Sequence, residues 1–109
     1  MPRPTLPQNS LQLLILKILA QRGPQHGYGI ASRIEELSKD VLTIEEGSLY
    51  PALYRLDEAG LIKAKWTVTE NKRRARMYEI TSAGRKQLDL EEDRWHAATA
   101  AVARVLRFA

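Results

Sequence analysis

The chain has 109 residues, enough for one small domain with a modest hydrophobic core. It has no cysteine, which excludes disulfides and thiolate metal sites, and its hydrophobic fraction of 44% argues against intrinsic disorder. Its 17 basic and 13 acidic residues give a net charge of +4, which permits a nucleic-acid partner without proving one. The sequence shows no signal peptide and no bilayer-spanning apolar run, so we expect a cytoplasmic protein without membrane contact.

The chain should begin with an irregular arm followed by a first helix. Residues 1–9 carry three prolines and form the expected arm. Ser10 is a candidate N-cap for a helix over residues 11–22, which Gly23 and Pro24 then end. The apolar surface of this helix is wide, which indicates contact with the core on one side and with a partner subunit on another.

A second helix is expected over residues 26–38. Its inward positions are Ile30, Ile34 and Leu37. The segment His26-Gly27-Tyr28 opens this helix, and free N–H groups at a helix start attract phosphate. These three residues are therefore candidate contacts to a nucleic-acid backbone, although a purely structural turn would ask for the same glycine.

The third helix is the most informative element of the sequence. A capping box of Thr43 and Glu46 should start it, and Gly60 should end it. Its buried positions follow i, i+4 and i+7 spacing, and they are Leu49, Leu53 and Leu56. The opposite face carries small polar groups, aromatic hydroxyls and an arginine, which suit a helix that enters a DNA groove. The candidate DNA-binding residues of this recognition helix are Ser48, Tyr50, Pro51, Tyr54 and Arg55.

Two positions in this helix leave alternatives open. Pro51 removes a backbone donor, which predicts either a bent first half or a helix that starts near Ser48 with Pro51 in its first turn. Tyr50 either bonds a phosphate near the helix start or packs its ring under the following hairpin and exposes only its hydroxyl.

A basic β-hairpin should follow the third helix. Period-two alternation predicts a strand over residues 62–68, with Trp66 in the core, and a return strand over 76–80 with Met77 or Tyr78 turned inward. The basic side chains of the hairpin are candidate phosphate contacts, and they are Lys65, Lys72, Arg73, Arg74 and Arg76. The alternative is a solvated turn whose charge only aids solubility.

Thr81 should cap a long last helix, over about residues 82–106. Five of its positions step by 7, 3, 4 and 3 as a short heptad seam, and they are Leu88, Trp95, Ala98, Val102 and Val105. A projecting helix cannot bury this seam against itself, so we expect a homodimer whose interface also includes Leu11 and Leu14. Trp95 is either plain dimer core or, with Asp89 and Glu92, part of an effector site for a planar aromatic or cationic molecule.

These elements predict a mainly α fold with a small β-hairpin. We expect a flexible arm over residues 1–9, a winged helix-turn-helix DNA-binding domain over 10–80 and a C-terminal dimerisation helix over 81–109. Catalysis finds little support, because neither His26 nor His96 has metal-ligand spacing and no nucleophile motif is present. We therefore expect no enzyme activity, no cofactor and no metal.

Several segments resemble the PadR family of bacterial transcriptional regulators. They are Leu13–Leu16, His26–Tyr28, Gly47–Leu53, Gly60–Ile62, Trp66, Arg73–Arg74 and Tyr78–Gly84. The resemblance implies a winged-helix dimer, of the short subgroup with a single C-terminal helix, that represses transcription at a palindromic operator in double-stranded DNA. It also implies release of the DNA by an effector, and some short members bind planar aromatic drugs between paired tryptophans placed like Trp95.

Two functions from other classes remain as alternatives. Winged helices sometimes bind proteins through the same surface, so the chain could be a protein-interaction module. It could also be a small-molecule sensor that works at Trp95 without reading DNA specifically. The basic hairpin favours the DNA-binding regulator over both.

Overall fold

The computed structural model describes residues 10–108, and the arm predicted over residues 1–9 lies outside them. In chain order the elements are α1 (Ser10–Arg22), β1 (Gln25–His26), α2 (Gly27–Leu37), α3 (Glu46–Glu58), β2 (Ile62–Val68), β3 (Arg74–Ile80) and α4 (Ser82–Phe108). The strands form an antiparallel sheet in the order β1-β3-β2. Three helices beside such a sheet make a winged helix-turn-helix, as predicted, and we call the β2–β3 hairpin the wing.

The core lies between the first three helices and the base of the wing. Its fully buried side chains come from every one of these elements, and the largest are Ile15, Leu16, Leu19, Ile30, Leu49, Leu53, Leu56 and Ile62. Each such side chain contributes roughly 1.5–3 kcal/mol by leaving water. Leu37 was predicted to join them, but it is the last residue of α2, lies beyond the core cluster and is 54% exposed.

The start of α3 differs from the prediction. The helix begins at Glu46 with Glu45 at the N-cap position, so Thr43 and Glu46 do not occupy the two positions of a capping box. The Glu35 carboxylate accepts a hydrogen bond from the Ile44 N–H at 2.9 Å, which ties the segment before α3 to α2. This hydrogen bond joins residues of two different elements and helps to hold the segment that leads into α3.

Pro51 lies in the second turn of α3, so the predicted alternative of a start near Ser48 is wrong. The predicted end at Gly60 is confirmed. Gly60 has a φ of +76°, and its N–H donates to the Asp57 carbonyl while the Leu61 N–H donates to the Leu56 carbonyl, both at 3.0 Å. These two bonds form a Schellman motif, which satisfies the last carbonyls of the helix.

The wing has the predicted first strand, but its return strand begins at Arg74, two residues before the predicted start, because Arg74 still pairs with Val68. Ile62 and Tyr78 are buried at its base, which resolves the choice between Met77 and Tyr78. Trp66 was expected in the core, yet it is 57% exposed. The reason is that the strands extend past the helices, so the face that is buried at Ile62 continues into solvent at Trp66 and Val68.

The tip of the wing is a closed turn of five residues, Thr69–Arg73. The Thr69 N–H donates to the Arg73 carbonyl, and the Lys72 N–H donates to the Thr69 carbonyl, both at 2.9 Å. Lys72 takes the left-handed conformation with a φ of +58°. These two hydrogen bonds and the left-handed residue give the basic tip a defined shape.

The last helix, α4, is packed on the rest of the protein only along its first part. The Thr81 hydroxyl accepts a hydrogen bond from the Gly84 N–H at 3.0 Å, which confirms the predicted cap. Leu88 is 5% exposed within one protomer, so it belongs to the core and is not available to the predicted dimer seam.

Beyond Leu88 the helix α4 projects from the body of the protein, which makes the molecule elongated at 57 × 35 × 21 Å. None of the described helices is long and apolar enough to cross a membrane.

Candidate nucleic-acid interface

The outer face of α3 carries the five residues that the sequence singled out. All of them are exposed, and they are Ser48, Tyr50, Pro51, Tyr54 and Arg55. The opposite face of the helix is held in the core by Leu49, Leu53 and Leu56. Because the buried face is apolar and well packed, the outer face is presented in a fixed orientation.

A groove of about 610 Å³ separates α3 and the start of α2 from the wing. All four tyrosines of the chain line it, together with one of its two tryptophans. These aromatic residues are Tyr28, Tyr50, Tyr54, Tyr78 and Trp66. The groove therefore combines aromatic walls with phenolic hydroxyls, which donate or accept hydrogen bonds.

The segment His26-Gly27-Tyr28 forms one wall of this groove. The His26 Nδ1 lies 3.1 Å from the Arg76 carbonyl oxygen, and Tyr28 is 80% exposed. The Tyr50 ring packs against the start of α2. Its Cε1 atom is so close to Gly27 that a Cβ atom added there would lie 3.2 Å from it. The Tyr50 ring is 45% exposed, so it packs on one side and faces solvent on the other.

The basic residues of the wing divide between its two faces and its tip. Arg74 and Arg76 line the groove, whereas Lys65 pairs with Met77 on the opposite face of the hairpin. Lys72 and Arg73 lie in the exposed tip. The structure thus separates Lys65 from the arginines with which the sequence grouped it.

One ion pair at the base of the groove joins the wing to α3. The Arg76 guanidinium lies 4.0 Å from the Asp57 carboxylate in the last turn of α3. Burial raises the pKa of the Tyr78 hydroxyl above its ordinary value, and the nearby Arg76 charge partly opposes this. The Tyr78 hydroxyl is therefore protonated at neutral pH and can donate a hydrogen bond into the groove.

The second candidate site lies around Trp95 on α4, outside the residues that line the groove. Trp95 is 40% exposed, and Asp89 is also exposed. Glu92 differs, because its carboxylate accepts a hydrogen bond from the Lys17 ammonium group at 2.8 Å. This bond lowers the pKa of Glu92 and ties α4 to α1, so Glu92 already has a cationic partner within the protomer.

Sequence reasoning missed two features of the groove. The strand β1 has only two residues and no periodicity, and it exists because Gln25 and His26 pair with Tyr78 and Met77. Asp57 was not singled out, since nothing in its local sequence indicates a partner. Its position one turn before Gly60 and on the side of α3 next to the wing became visible only in the fold.

The chain resembles known proteins in both sequence and structure. The sequence profile described as "Transcriptional regulator PadR-like family" matches residues 15–90. This chain belongs to that family. Membership confirms the resemblance seen in the sequence, and it places the chain among transcriptional regulators and not among enzymes.

Relatives agree with the family assignment and with the fold. The chain is 40% identical over 60 residues to the transcriptional regulator Rv3488 of Mycobacterium tuberculosis, over 55% of this chain and 53% of that protein. It matches the structure of a transcriptional regulator from Clostridium thermocellum with a TM-score of 0.78 at 29% identity, over 85% and 89% of the two chains.

One similar structure contains DNA. Bacillus subtilis PadR in complex with operator DNA matches this PadR-family chain with a TM-score of 0.65 at 29% identity, over 72% of this chain and 44% of that one. The chain spans between 22% and 53% of the lengths of three curated relatives that it matches. The residues that match the family profile, 15–90, include every residue that lines the groove.

Proposed function

We propose that this protein is a homodimeric repressor that binds a palindromic operator in double-stranded DNA. The observation that carries the proposal is the continuous surface formed by the polar face of α3 and the arginines of the wing, on either side of one groove. A helix fits the major groove, and a basic hairpin beside it meets the adjacent backbone. The operator complex of the related B. subtilis PadR supports this use of the fold.

In this proposal α3 supplies sequence readout. Arg55 is exposed, and its planar fork matches the O6 and N7 atoms of guanine. Ser48, Tyr50 and Tyr54 carry hydroxyls that bond phosphates or base edges, and Pro51 adds apolar contact. These residues lie along one helix face, so they follow one groove of the duplex.

The wing and the start of α2 supply contacts to the phosphate backbone. These contacts orient the protein on the duplex and make its affinity depend on salt. The proposed backbone residues are Lys65, Lys72, Arg73, Arg74, Arg76, His26, Gly27 and Tyr28. Lys65 faces away from the groove, so it would reach a phosphate on the outer side of the wing.

We further propose that α4 forms the dimer. Its projecting part carries large apolar side chains that are about half exposed or more in the protomer, and they are Trp95, Val102, Val105, Leu106 and Phe108. Ala98 belongs to the same surface, and Leu11 and Leu14 of α1 are only partly buried. Dimerisation would cover this surface and place the two recognition helices at half-sites about one helical turn apart, roughly 34–36 Å. Sedimentation should give twice the 12.4 kDa of the chain.

We also propose that a small-molecule effector bound near Trp95 releases the protein from its operator. Two Trp95 side chains brought together by the dimer would leave room for a planar aromatic or cationic molecule beside the exposed Asp89. Such a dye should quench tryptophan fluorescence and release the operator. Loss of both effects in Trp95→Ala would support this site, and unchanged quenching would exclude it.

The proposed DNA binding is tested by a mobility-shift titration of the protein on its own upstream region and on unrelated duplex, at two salt concentrations. Preferential binding to the upstream DNA that survives the higher salt is the expected result. Equal and salt-labile binding to both duplexes would instead indicate only a basic surface. No binding at low salt would favour a protein-interaction module.

The wing makes a separate prediction about salt. Replacing Arg73 and Arg74 together with alanine should reduce the slope of log affinity against log salt by about 2, because each phosphate contact contributes about 0.9. Arg104→Gln with Arg107→Gln removes the same charge from the far end of α4 and is the control, for which we expect the original slope. An unaltered slope in the wing variant would show that the tip does not contact phosphate.

A further inference from the structure

One face of the wing carries aromatic rings and guanidinium groups in alternation. Beginning at the base, they are Tyr78, Arg76, Trp66 and Arg74. The Arg76 Cζ atom lies 6.0 Å from the centre of the Tyr78 ring and 5.4 Å from that of Trp66. The Arg74 Cζ atom lies 4.6 Å from the centre of the Trp66 ring on which it stacks. Cations at these distances are attracted to the faces of the rings.

This arrangement follows from the register of the hairpin. Trp66 is directly opposite Arg76, and Arg74 is two residues further along the same strand, opposite Val68. Side chains at opposite and diagonal positions of a strand pair share one face and touch when they are long. One tryptophan therefore contacts both arginines of the groove face.

Core packing does not explain a tryptophan at this position. The Trp66 side chain is 57% exposed, and Val68 beyond it is 71% exposed. No buried side chain of the core cluster comes from the outer half of β2. The Trp66 ring does contact two guanidinium groups, so these arginines offer a reason for a tryptophan at this position.

Arg76 is also held from the other side of the groove. Its guanidinium lies 4.0 Å from the Asp57 carboxylate, while its partner ring is Trp66 on the wing. A free arginine side chain loses considerable conformational entropy when it is ordered by a ligand. Arg76 is therefore ordered before any ligand binds, since it stacks on Trp66 and pairs with Asp57. Arg74 is ordered by stacking on Trp66 alone.

We propose that Trp66 is a positioning residue, which holds the guanidinium groups of Arg74 and Arg76 in place for the phosphates of the bound duplex. The inference rests on the proposed function, since it requires that the wing contacts DNA. Trp66 acts through the two arginines and not by contacting a base itself. Its loss should therefore matter only while the arginines are present.

A double-mutant cycle tests this dependence with a fluorescent operator duplex at fixed salt. Trp66→Leu should weaken binding by about fivefold, because the duplex must then order the two arginine side chains itself. In a protein that already carries Arg74→Ala and Arg76→Ala, the same change should have less than about a twofold effect. Trp66→Phe retains an aromatic face and should restore most of the affinity.

The controls separate this inference from the proposed function. Val68→Ala removes the next apolar side chain on the same face of β2 and should leave binding unchanged, and thermal unfolding of Trp66→Leu should be close to that of the parent protein. An equal loss from Trp66→Leu with and without the arginines would overturn the positioning role. If Arg74→Ala with Arg76→Ala does not weaken binding at all, the wing does not contact DNA and the proposed function itself fails at this element.

Discussion

Replacing Gly84 with alanine should lower the free energy of unfolding by about 3 kcal/mol, the upper end of the cost of overpacking a tight contact. Gly84 lies in the first turn of α4, where a Cβ atom would collide with the Leu61 carbonyl oxygen and lie 2.7 Å from the Ile80 Cγ1 atom. The Leu61 carbonyl cannot move away cheaply. It accepts hydrogen bonds from the Thr81 N–H and the Thr81 hydroxyl, both at 3.0 Å.

Gly47→Ala is the matched control for this prediction. It makes the same chemical change in a helix, but a Cβ atom at Gly47 meets nothing within 4 Å. Alanine is the better helix former, so this variant should be as stable as the parent or more stable by up to about 1 kcal/mol. Urea unfolding of both variants gives the comparison. Equal stability of the two would mean that α4 does not pack on Leu61 as described.

Replacing Arg55 with alanine should weaken binding to the operator by about 1–3 kcal/mol and should affect unrelated duplex much less. The reason is that a bidentate contact to guanine exists only where the correct base is present. Arg55 is exposed on α3 next to Tyr54, and neither side chain belongs to the core. The substitution should therefore leave the fold unchanged.

Arg55→Lys distinguishes base readout from simple charge. Lysine keeps the positive charge but lacks the planar fork, so we expect it to retain affinity for unrelated duplex and to lose part of the discrimination. Competition titrations with operator and unrelated duplex measure the ratio directly. If Arg55→Ala leaves that ratio unchanged, the assignment of the reading face to α3 is wrong.

The regular elements were predictable because their signals are local. The bounds of β2 agree with the alternation in the sequence, and α1 and α2 agree within one residue. Apolar spacing and breaking residues such as Gly60 act within a few residues of chain, so they can be read without the fold. The exposed face of α3 was predictable for the same reason, since it lies opposite the face that carries Leu49, Leu53 and Leu56.

Features that depend on distant partners were missed or misplaced. The strand β1 exists because Gln25 and His26 pair with residues of β3 that lie 53 and 51 positions later, and the segment before α3 is tied to α2 by the hydrogen bond between Glu35 and Ile44. The Asp57–Arg76 pair joins two elements whose separation in space is set by the whole fold. No local pattern encodes such contacts, because each is created by packing.

The sequence alone determined which face of each element is apolar, and only the tertiary structure decided how far along that face the core extends. Trp66 and Trp95 make the difference clear. Each continues a face that is buried nearer the body, at Ile62 in the wing and at Leu88 in α4, and each is left uncovered because its element projects past the three packed helices. Hydrophobic periodicity is a property of neighbouring residues, whereas burial needs a second element opposite. Trp66 is therefore exposed and contacts the wing arginines, and Trp95 is exposed and available to contact the proposed partner subunit.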